Sequence, residues 1–526
     1  MTIENTGFLD LLRRKCREEP TAGFASWGER TYDFSDLERA SRAAAAELAS
    51  RGLVPGDRVA VMMANRPEVM FLLYGMTRAG LVWVPINPQQ RGVGLRYLIE
   101  HSQPRLILID DSRIGHLREC GADLSDIEVI VHGPSSASFL DRLLEKDRDW
   151  QDQPATPESL FAIMYTSGTT GHPKGVLVTH GMMRYAAEAA VLLAEAKDGD
   201  RLLMWEPLYH VGGAQVMLMP LLRRLTIAMV ERFSASRFWE QVRQTGSTHV
   251  HYLGGILQML QQQPASASER EHGARIGWGA GARSDHWTDF QDRFGIALRE
   301  AYGMTETSSI ATYNGDGTPG SVGYPVPWFS IEILDEVGQP VPPGVRGEIV
   351  VCPRAPHTLF AGYYRNEEAT KAALRDGKMY TKDIGSLDAQ GRLFFHGRKT
   401  DSIRCRGENV SAMEIEQVVA LHPDIADSAA IGVDAEIGEQ EIKLFVQLKP
   451  EARLTAPSLS AFLGEHLAAY QNPRYIDFVE TFERTPSERI MKHRLDKRIS
   501  GSWDRMQRPA QNLATAGETA IPEERR

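Results

Sequence analysis

Residues 58–85 read RVAVMMANRPEVMFLLYGMTRAGLVWVP, and this stretch decides the fold class. Arg58–Met63 reads as a strand, Pro67–Ala79 as a helix and Leu81–Pro85 as a second strand. Buried parallel strands joined by crossover helices produce this rhythm. The same alternation recurs through Leu160–Tyr165, His180–Ala194, Leu202–Trp205, Phe238–Thr245 and His249–Tyr252, so an α/β fold is expected. From about Val322 to His396 the texture shifts to Gly- and Pro-rich hairpin runs such as FSIEILDEVGQPVPPGVRGEIVV and GRLFFHGR. These predict an antiparallel, barrel-like piece. After Arg398 a new unit begins, with helices at Ala412–Leu421 and Leu459–Ala469 and strands at Ala429–Val433 and Ile442–Gln447. The expected organisation is a large N-terminal domain over residues 1–400, a small C-terminal α/β domain over 401–500 and a disordered tail over 501–526.

The size agrees with this division, because 526 residues exceed what one hydrophobic core usually supports. A hydrophobic share of 42% and a charged share of 24% are those of an ordinary globular protein. The formal net charge of −10, with no basic stripe, argues against a nucleic-acid partner. Cys16, Cys120, Cys352 and Cys405 are far apart and form no CxxC pair, which points to a reducing compartment. The N-terminus lacks the order of a secretory signal, and Phe8, Leu9, Leu11 and Leu12 instead form the stripe of an amphipathic helix. The longest apolar stretch, Val69–Pro85, is broken by Gly75, Arg78 and Gly80, so membrane insertion is not expected. A cytoplasmic location follows from these readings.

The strand at Leu160–Tyr165 runs straight into Thr166-Ser-Gly-Thr-Thr-Gly-His-Pro-Lys174-Gly175. Small hydroxyl residues and glycines let backbone N–H groups and hydroxyls converge on anionic oxygens without obstruction. Thr166, Ser167, Gly168, Thr169, Thr170 and Gly171 thus form a candidate phosphate cradle, and Lys174 adds a mobile cation. A further strand is expected at Val176–Val178. The Walker pattern is not met, because Pro173 precedes Lys174 and Gly175 follows it. A Ser/Thr/Gly surface turn is the bland alternative, and eleven residues in this order fit it poorly.

YTSGTTGHPKG resembles the signature of the adenylate-forming superfamily, which holds acyl-CoA synthetases, peptide-synthetase adenylation domains and firefly luciferase. Its companions follow in order: PLYHVGG at Pro207–Gly213, GWGAGA at Gly277–Ala282, YGMTE at Tyr302–Glu306 and GSVGYP at Gly320–Pro325. GYY at Gly362–Tyr364, YTKD at Tyr380–Asp383, GRKTD at Gly397–Asp401 and RGENVSAMEIE at Arg406–Glu416 continue the series. The wording of the last motifs is most similar to the crotonobetaine/carnitine-CoA ligase branch. The resemblance implies ATP, Mg2+ and coenzyme A as cofactors, and a small carboxylic acid as substrate.

The resemblance also implies roles. Glu306 would be the magnesium ligand and Thr305 would contact the α-phosphate, although a Thr-Glu pair read alone is more often a helix cap. Ala301, Tyr302 and Gly303 would border the adenine, as would Gly279, Ala280 and Gly281 after a strand expected at Ala274–Trp278. Asp383 is the candidate for the ribose hydroxyls, since a carboxylate accepts two bonds from a vicinal diol. Lys382 stands before it where the family usually has Gly, a substitution that reads as mild. Arg398 would contact the ribose and phosphate side. His210 would gate the way between the acyl pocket and the pantetheine tunnel, with Trp205, Tyr209, Tyr252 and Trp278 as pocket or core residues. The small domain would be mobile about a hinge at Asp401, with Arg404, Arg406 and Gly407 facing the site during thioester formation.

One departure stands out. The family's last motif ends in Gly-Lys, whereas Thr485–Lys492 reads TPSERIMK and places Arg489 at the catalytic position. Arg keeps the charge but not the compact ammonium, and either Arg489 or Lys492 could supply it. The expected activity is a carboxylic acid–CoA ligase. The alternatives are loading of a carrier-protein thiol and a nucleotide-binding paralogue without strong turnover. No carrier module follows the small domain, which makes free CoA the simplest acceptor; homo-oligomerisation stays open. The acid is undecided among aromatic, polyketide-derived (as in antibiotic biosynthesis) and medium-chain acids. A cationic acid would need an acidic or aromatic cage, which the sequence does not locate.

Overall fold

A computed structural model describes residues 7–133, 140, 142–145, 147–166, 173–399, 402–405, 408–434, 440–467, 469, 471–485 and 489–506. The chain divides into two compact units, one comprising Met1–Thr400 with Arg484–Arg489, the other Asp401–Glu483 with Ile490–Arg526.

Among the described residues, the large unit carries three sheets. In the six-stranded sheet Arg58–Met62 lies parallel between Val82–Pro85 and Leu106–Asp110, and Val82–Pro85 pairs parallel with Leu160–Thr166. Residues 58–85 are therefore a βαβ unit, with Pro67–Arg78 as the crossover helix. Every residue of that helix except Glu68 is buried, which is why its sequence is apolar on all sides. Arg78 is no exception to the burial. Its guanidinium donates to Asp152 at 2.9 and 3.0 Å and to Ser41 at 2.9 Å, and also pairs with Glu38. A buried charge of this kind survives only with such partners.

The nine-stranded sheet has a parallel centre. Gly23–Trp27, Thr226–Met229, Arg201–Met204, His249–Leu253, Ile276–Ala280 and Ala297–Tyr302 run side by side in one direction. Antiparallel strands finish both edges, Arg30–Asp33 at one and Thr312–Asn314 with Tyr324–Pro325 at the other. In open α/β sheets ligands bind beyond the carboxyl ends of parallel strands. Here those ends are Met204, Leu253, Ala280 and Tyr302. The antiparallel piece expected after Val322 is a five-stranded sheet built on Phe329–Leu334, Gly347–Pro353, Lys378–Leu387 and Leu393–Arg398, with the short Leu374–Arg375.

The small unit pairs Ile425–Asp434 antiparallel with Gln440–Leu448, which in turn runs parallel to Tyr475–Phe478. Helices Ala412–Val419 and Ala456–His466 pack on this sheet through Ile415, Val419, Leu459 and Leu463. The second helix starts three residues before its expected Leu459, because Thr455 caps it and Pro457 fits the first turn. Trp503–Asp504 pairs with Tyr475–Ile476, so ordered structure continues past Gly501, where a disordered tail was expected to begin. Residues 507–526 of that expected tail lie outside the described residues. Among the described residues no helix is long and apolar enough to cross a membrane.

Candidate functional site

Leu160–Thr166 pairs antiparallel with Lys174–Thr179, with Tyr165 opposite Gly175 and Thr166 opposite Lys174. Ser167, Gly168, Thr169, Thr170 and Gly171 lie outside the described residues. The return strand Lys174–Thr179 is held on its other edge by the GYY segment. Tyr364 N–H donates to Gly175 O at 2.7 Å, and Leu177 N–H to Gly362 O at 3.0 Å. This pairing places the ring of Tyr363 under Lys174, whose Nζ is 5.0 Å from the ring centroid.

The hydroxyl of Tyr363 donates to Glu306 Oε1 at 2.8 Å. Glu306 and Thr305 share the 3-10 turn Thr305–Thr307, and the Glu306 carbonyl accepts from Phe360 N–H at 2.9 Å. Burial holds the Glu306 carboxyl above its usual range, while Tyr363, Arg398 and Lys174 pull it the other way. Ser308 and Ser309 follow with φ of 52° and 71°, conformations that cost free energy and cluster at functional sites. Gly303 is required on packing grounds, since a Cβ there would fall 2.1 Å from the carbonyl oxygen of Ser309. Sequence reasoning assigned Tyr363 no role. The signal was present in the GYY motif, but nothing in the sequence tied it to Glu306.

Asp383 is buried, and Tyr302 Oη donates to its Oδ2 at 2.8 Å. Arg398 is its register partner on the neighbouring strand, with Nε 3.5 Å from Oδ1. Lys382 adopts φ of +60°, a conformation glycine takes without penalty, so the lysine read as a mild exchange strains the backbone. The left-handed conformation costs a non-glycine residue about 1 kcal/mol. Tyr302 is itself buried, with Phe395 stacked on its ring at 5.7 Å.

Gly279 and Ala280 are the last residues of the strand Ile276–Ala280, two positions later than expected. A Cβ on Gly279 would fall 1.9 Å from the Tyr252 carbonyl oxygen, so this glycine serves the contact between neighbouring strands. The turn after it is held by a residue that sequence reasoning missed. Glu300, buried beside Ala301, accepts from Gly281 N–H, from Ala282 N–H at 3.0 Å and from Tyr252 Oη at 2.7 Å. Burial pushes its carboxyl up to about 7 despite these three donors. Tyr252 is therefore a buried strut carrying Glu300.

On the other side of Tyr252, the loop Trp205–His210 is pinned by Asn65. Its amide donates to the carbonyls of Trp205 and Glu206 at 3.3 and 2.6 Å and accepts from Leu208 N–H at 3.0 Å. His210 precedes the helix Val211–Leu222 without capping it, and its Nε2 has no hydrogen-bond partner among the described residues. Burial pushes its pKa down to about 4, with the Arg489 charge adding to the shift, so the imidazole is neutral near pH 7. Trp205, Tyr252 and Trp278 are buried and Tyr209 is half-buried.

Arg489 is open to solvent yet crowded by protein. That crowding, with the neighbouring Arg398, lowers its pKa, and Asp383 opposes the shift. Lys492, the other candidate cation, is engaged inside the small unit by Glu416 at 2.7 Å. Arg404 belongs to the strand Ser402–Cys405, and Asp401, Arg406 and Gly407 lie outside the described residues.

The AMP-binding enzyme family matches residues 12–364, and the AMP-binding enzyme C-terminal domain matches residues 414–489. A crotonobetaine/carnitine–CoA ligase of Proteus mirabilis (strain HI4320) is 31% identical over 485 residues, covering 89% of this chain and 93% of its own. Among solved structures, ATP-bound MatB from Rhodopseudomonas palustris is 26% identical with a TM-score of 0.84, covering 93% of this chain and 98% of its own. A benzoate CoA ligase from Burkholderia xenovorans LB400 shares the fold with a TM-score of 0.84 at 23% identity, covering 93% of this chain and 99% of its own.

Proposed function

The chain belongs to the AMP-binding enzyme family, and from that premise we propose an ATP-dependent carboxylic acid–CoA ligase that forms an acyl-adenylate and then an acyl-CoA thioester. The observation that carries the proposal is the Lys174–Tyr363–Glu306 arrangement beside the strand pair Leu160–Thr166 and Lys174–Thr179. It sets one mobile cation and one buried carboxylate at the place where a loop suited to phosphate begins.

The donor set fits Mg2+, which is typically held through one or two carboxylates together with substrate phosphates. Among the described residues no group of three or more His, Cys, Asp or Glu side chains could hold a metal ion. Bound Mg2+ neutralises charge on the phosphates during displacement of pyrophosphate. Glu306 offers the carboxylate, and Tyr363 fixes its orientation by occupying one oxygen. Lys174 supplies a flexible point charge to the phosphate chain. Asp383 accepts from the ribose hydroxyls, with Tyr302 and Arg398 holding it in place. Gly279, Ala280 and Gly281 border the adenine, on a turn fixed by Glu300.

Arg489 is the proposed partner of the developing charge at the carboxylate and α-phosphate, since Lys492 is occupied by Glu416. His210, neutral at the edge of the Trp205–His210 loop, separates the acyl and thiol sides without bringing a competing charge. Coenzyme A as the acceptor is supported by the crotonobetaine/carnitine–CoA ligase relative.

The test is release of AMP and pyrophosphate across a panel of carboxylates, with and without CoA, with the thioester read by mass spectrometry. The expected result is carboxylate-dependent pyrophosphate release and a CoA-dependent thioester. Absence of AMP under every condition would instead favour a nucleotide-binding protein without turnover.

A further inference from the structure

We propose that His101 and Tyr97, neighbours on one helix, are positioning residues that hold Lys174 and the Tyr363–Glu306 pair in place for the nucleotide phosphates. This rests on the reading of the chain as an ATP-dependent ligase and adds residues that serve the phosphate side through others.

The helix is Gly92–Ser102, the next element after the strand Val82–Pro85. Tyr97 and His101 are four residues apart and share one face of it. Their rings stack at 5.2 Å with an interplanar angle of 21°. That face meets three anchors, each one residue away from a group of the candidate site. Tyr97 Oη donates to the Pro173 carbonyl at 3.1 Å, and Pro173 precedes Lys174. The Tyr165 hydroxyl bonds His101 Nδ1 at 2.7 Å, and Tyr165 lies opposite Gly175, which follows Lys174. The Tyr364 ring meets the His101 ring edge to face at 5.5 Å, and Tyr364 follows Tyr363. The pair thus touches the chain on both sides of Lys174 and the segment that supports Glu306.

Packing alone needs no hydroxyl at position 97 and no ring nitrogen at position 101. Burial and the Arg365 charge lower the His101 pKa, so the ring is neutral near pH 7 and Nδ1 can accept. Burial raises the Tyr165 hydroxyl well above its usual range, which keeps it a donor. Gly175 packs on the Tyr165 ring, where a Cβ would stand 3.4 Å from two ring carbons and 2.7 Å from Ile163 Cγ2. Arg365 ties the helix end to the same segment. Its guanidinium lies 5.1 Å from the Tyr364 ring centroid and donates to Gln103 Oε1 at 2.6 Å. A misplacement of about 1 Å at a substrate-positioning group can cost about 10²-fold in rate. The pair therefore bears on ATP although it acts through Lys174 and Tyr363.

The test compares Tyr97→Phe, His101→Leu and His101→Asn in the full-length protein. ATP affinity with Mg2+ is measured by calorimetry, and KM for ATP, acid and CoA by pyrophosphate release and thioester formation. Tyr97→Phe keeps the ring stack and removes one donor, so ATP affinity should fall about fivefold. His101→Leu should cost about tenfold in ATP affinity and in KM for ATP, while KM for acid and CoA changes less than about twofold. His101→Asn, whose amide oxygen stands near the Nδ1 position, should bring the loss back within about threefold. Tyr97→Phe combined with Tyr363→Phe should be non-additive, because both act on the same arrangement. Unchanged ATP affinity in both Tyr97→Phe and His101→Leu would overturn the proposal. So would KM values raised alike for every substrate, or a His101→Asn variant no better than His101→Leu, either of which would leave the pair as packing. Should His101→Leu fail to fold, Tyr97→Phe, which loses a single oxygen, decides the matter. No thioester from the unmodified protein with any acid would remove the ligase reading alone, since ATP affinity still judges the two residues. No ATP binding by the unmodified protein would remove both.

Discussion

Glu300 gives the most direct physical test of the site. Its carboxyl titrates at about 7 in the folded protein against an ordinary value of 4.5, because burial outweighs three hydrogen-bond donors. The folded state therefore holds the proton more tightly than the unfolded chain. That stabilising contribution is complete below pH 4.5 and is lost as pH rises through about 7. At about 1.4 kcal/mol per pH unit, the part lost between about pH 5.5 and about pH 8 comes to about 2 kcal/mol. An unfolding entropy of about 2.1 cal/mol/K per residue over the large unit, roughly 400 residues, converts this to about 2 °C in Tm. Glu300→Gln removes the titration while keeping an acceptor for Tyr252. The assay is thermal unfolding of both proteins across that range. The Tm of the unsubstituted protein should fall by about 2 °C relative to E300Q as pH rises. Parallel curves would refute the reasoning, since Glu300 would then carry its charge without penalty.

Tyr363→Phe keeps the ring under Lys174 but removes the donor to Glu306, so kcat/KM for ATP should fall about tenfold, read as a shifted Mg2+ titration of pyrophosphate release. Asp383→Asn should raise the KM for ATP by about tenfold and leave thermal stability within about 1 kcal/mol, because Asn still accepts from Tyr302. Arg489→Ala should slow pyrophosphate release by about 10²-fold while Lys492→Ala changes it less than about threefold; the reverse ranking would transfer the role to Lys492. Arg78→Met, far from the site, should lower stability by about 2 kcal/mol in denaturant unfolding by removing the buried donor to Asp152, Glu38 and Ser41, although Arg13 still holds Asp152.

Sequence made the layered fold readable because buried parallel strands carry no alternation. The expected strands Arg58–Met63 and Leu81–Pro85 differ by one residue each from two paired strands of one sheet. It could also supply candidates for the nucleotide-facing residues, since Thr305, Glu306, Asp383 and Arg398 sit in ordered motifs. What it could not supply were contacts between motifs. Tyr363 and Glu306 are 57 residues apart and Asp383 and Tyr302 are 81 apart, and pairing through sheet register has no local signature. Glu300 was missed for a different reason. It is one acidic letter in LREAY, and a single letter does not reveal whether it faces water or the interior. The strained Lys382 was legible as a departure from glycine, but its cost became visible only with the backbone dihedral.

The Asn65 pin bears on the order in which the molecule assembles. The amide follows a strand of the six-stranded sheet and grips a loop of the nine-stranded one, across 140 to 143 residues of chain. Closing so long a segment is entropically slow and cannot precede the local strands and helices on either side. The loop from Trp205 to His210 thus acquires its shape late, after both sheets exist. During refolding, contacts within residues 297–383, such as that of Tyr302 with Asp383, can mature before this loop is held.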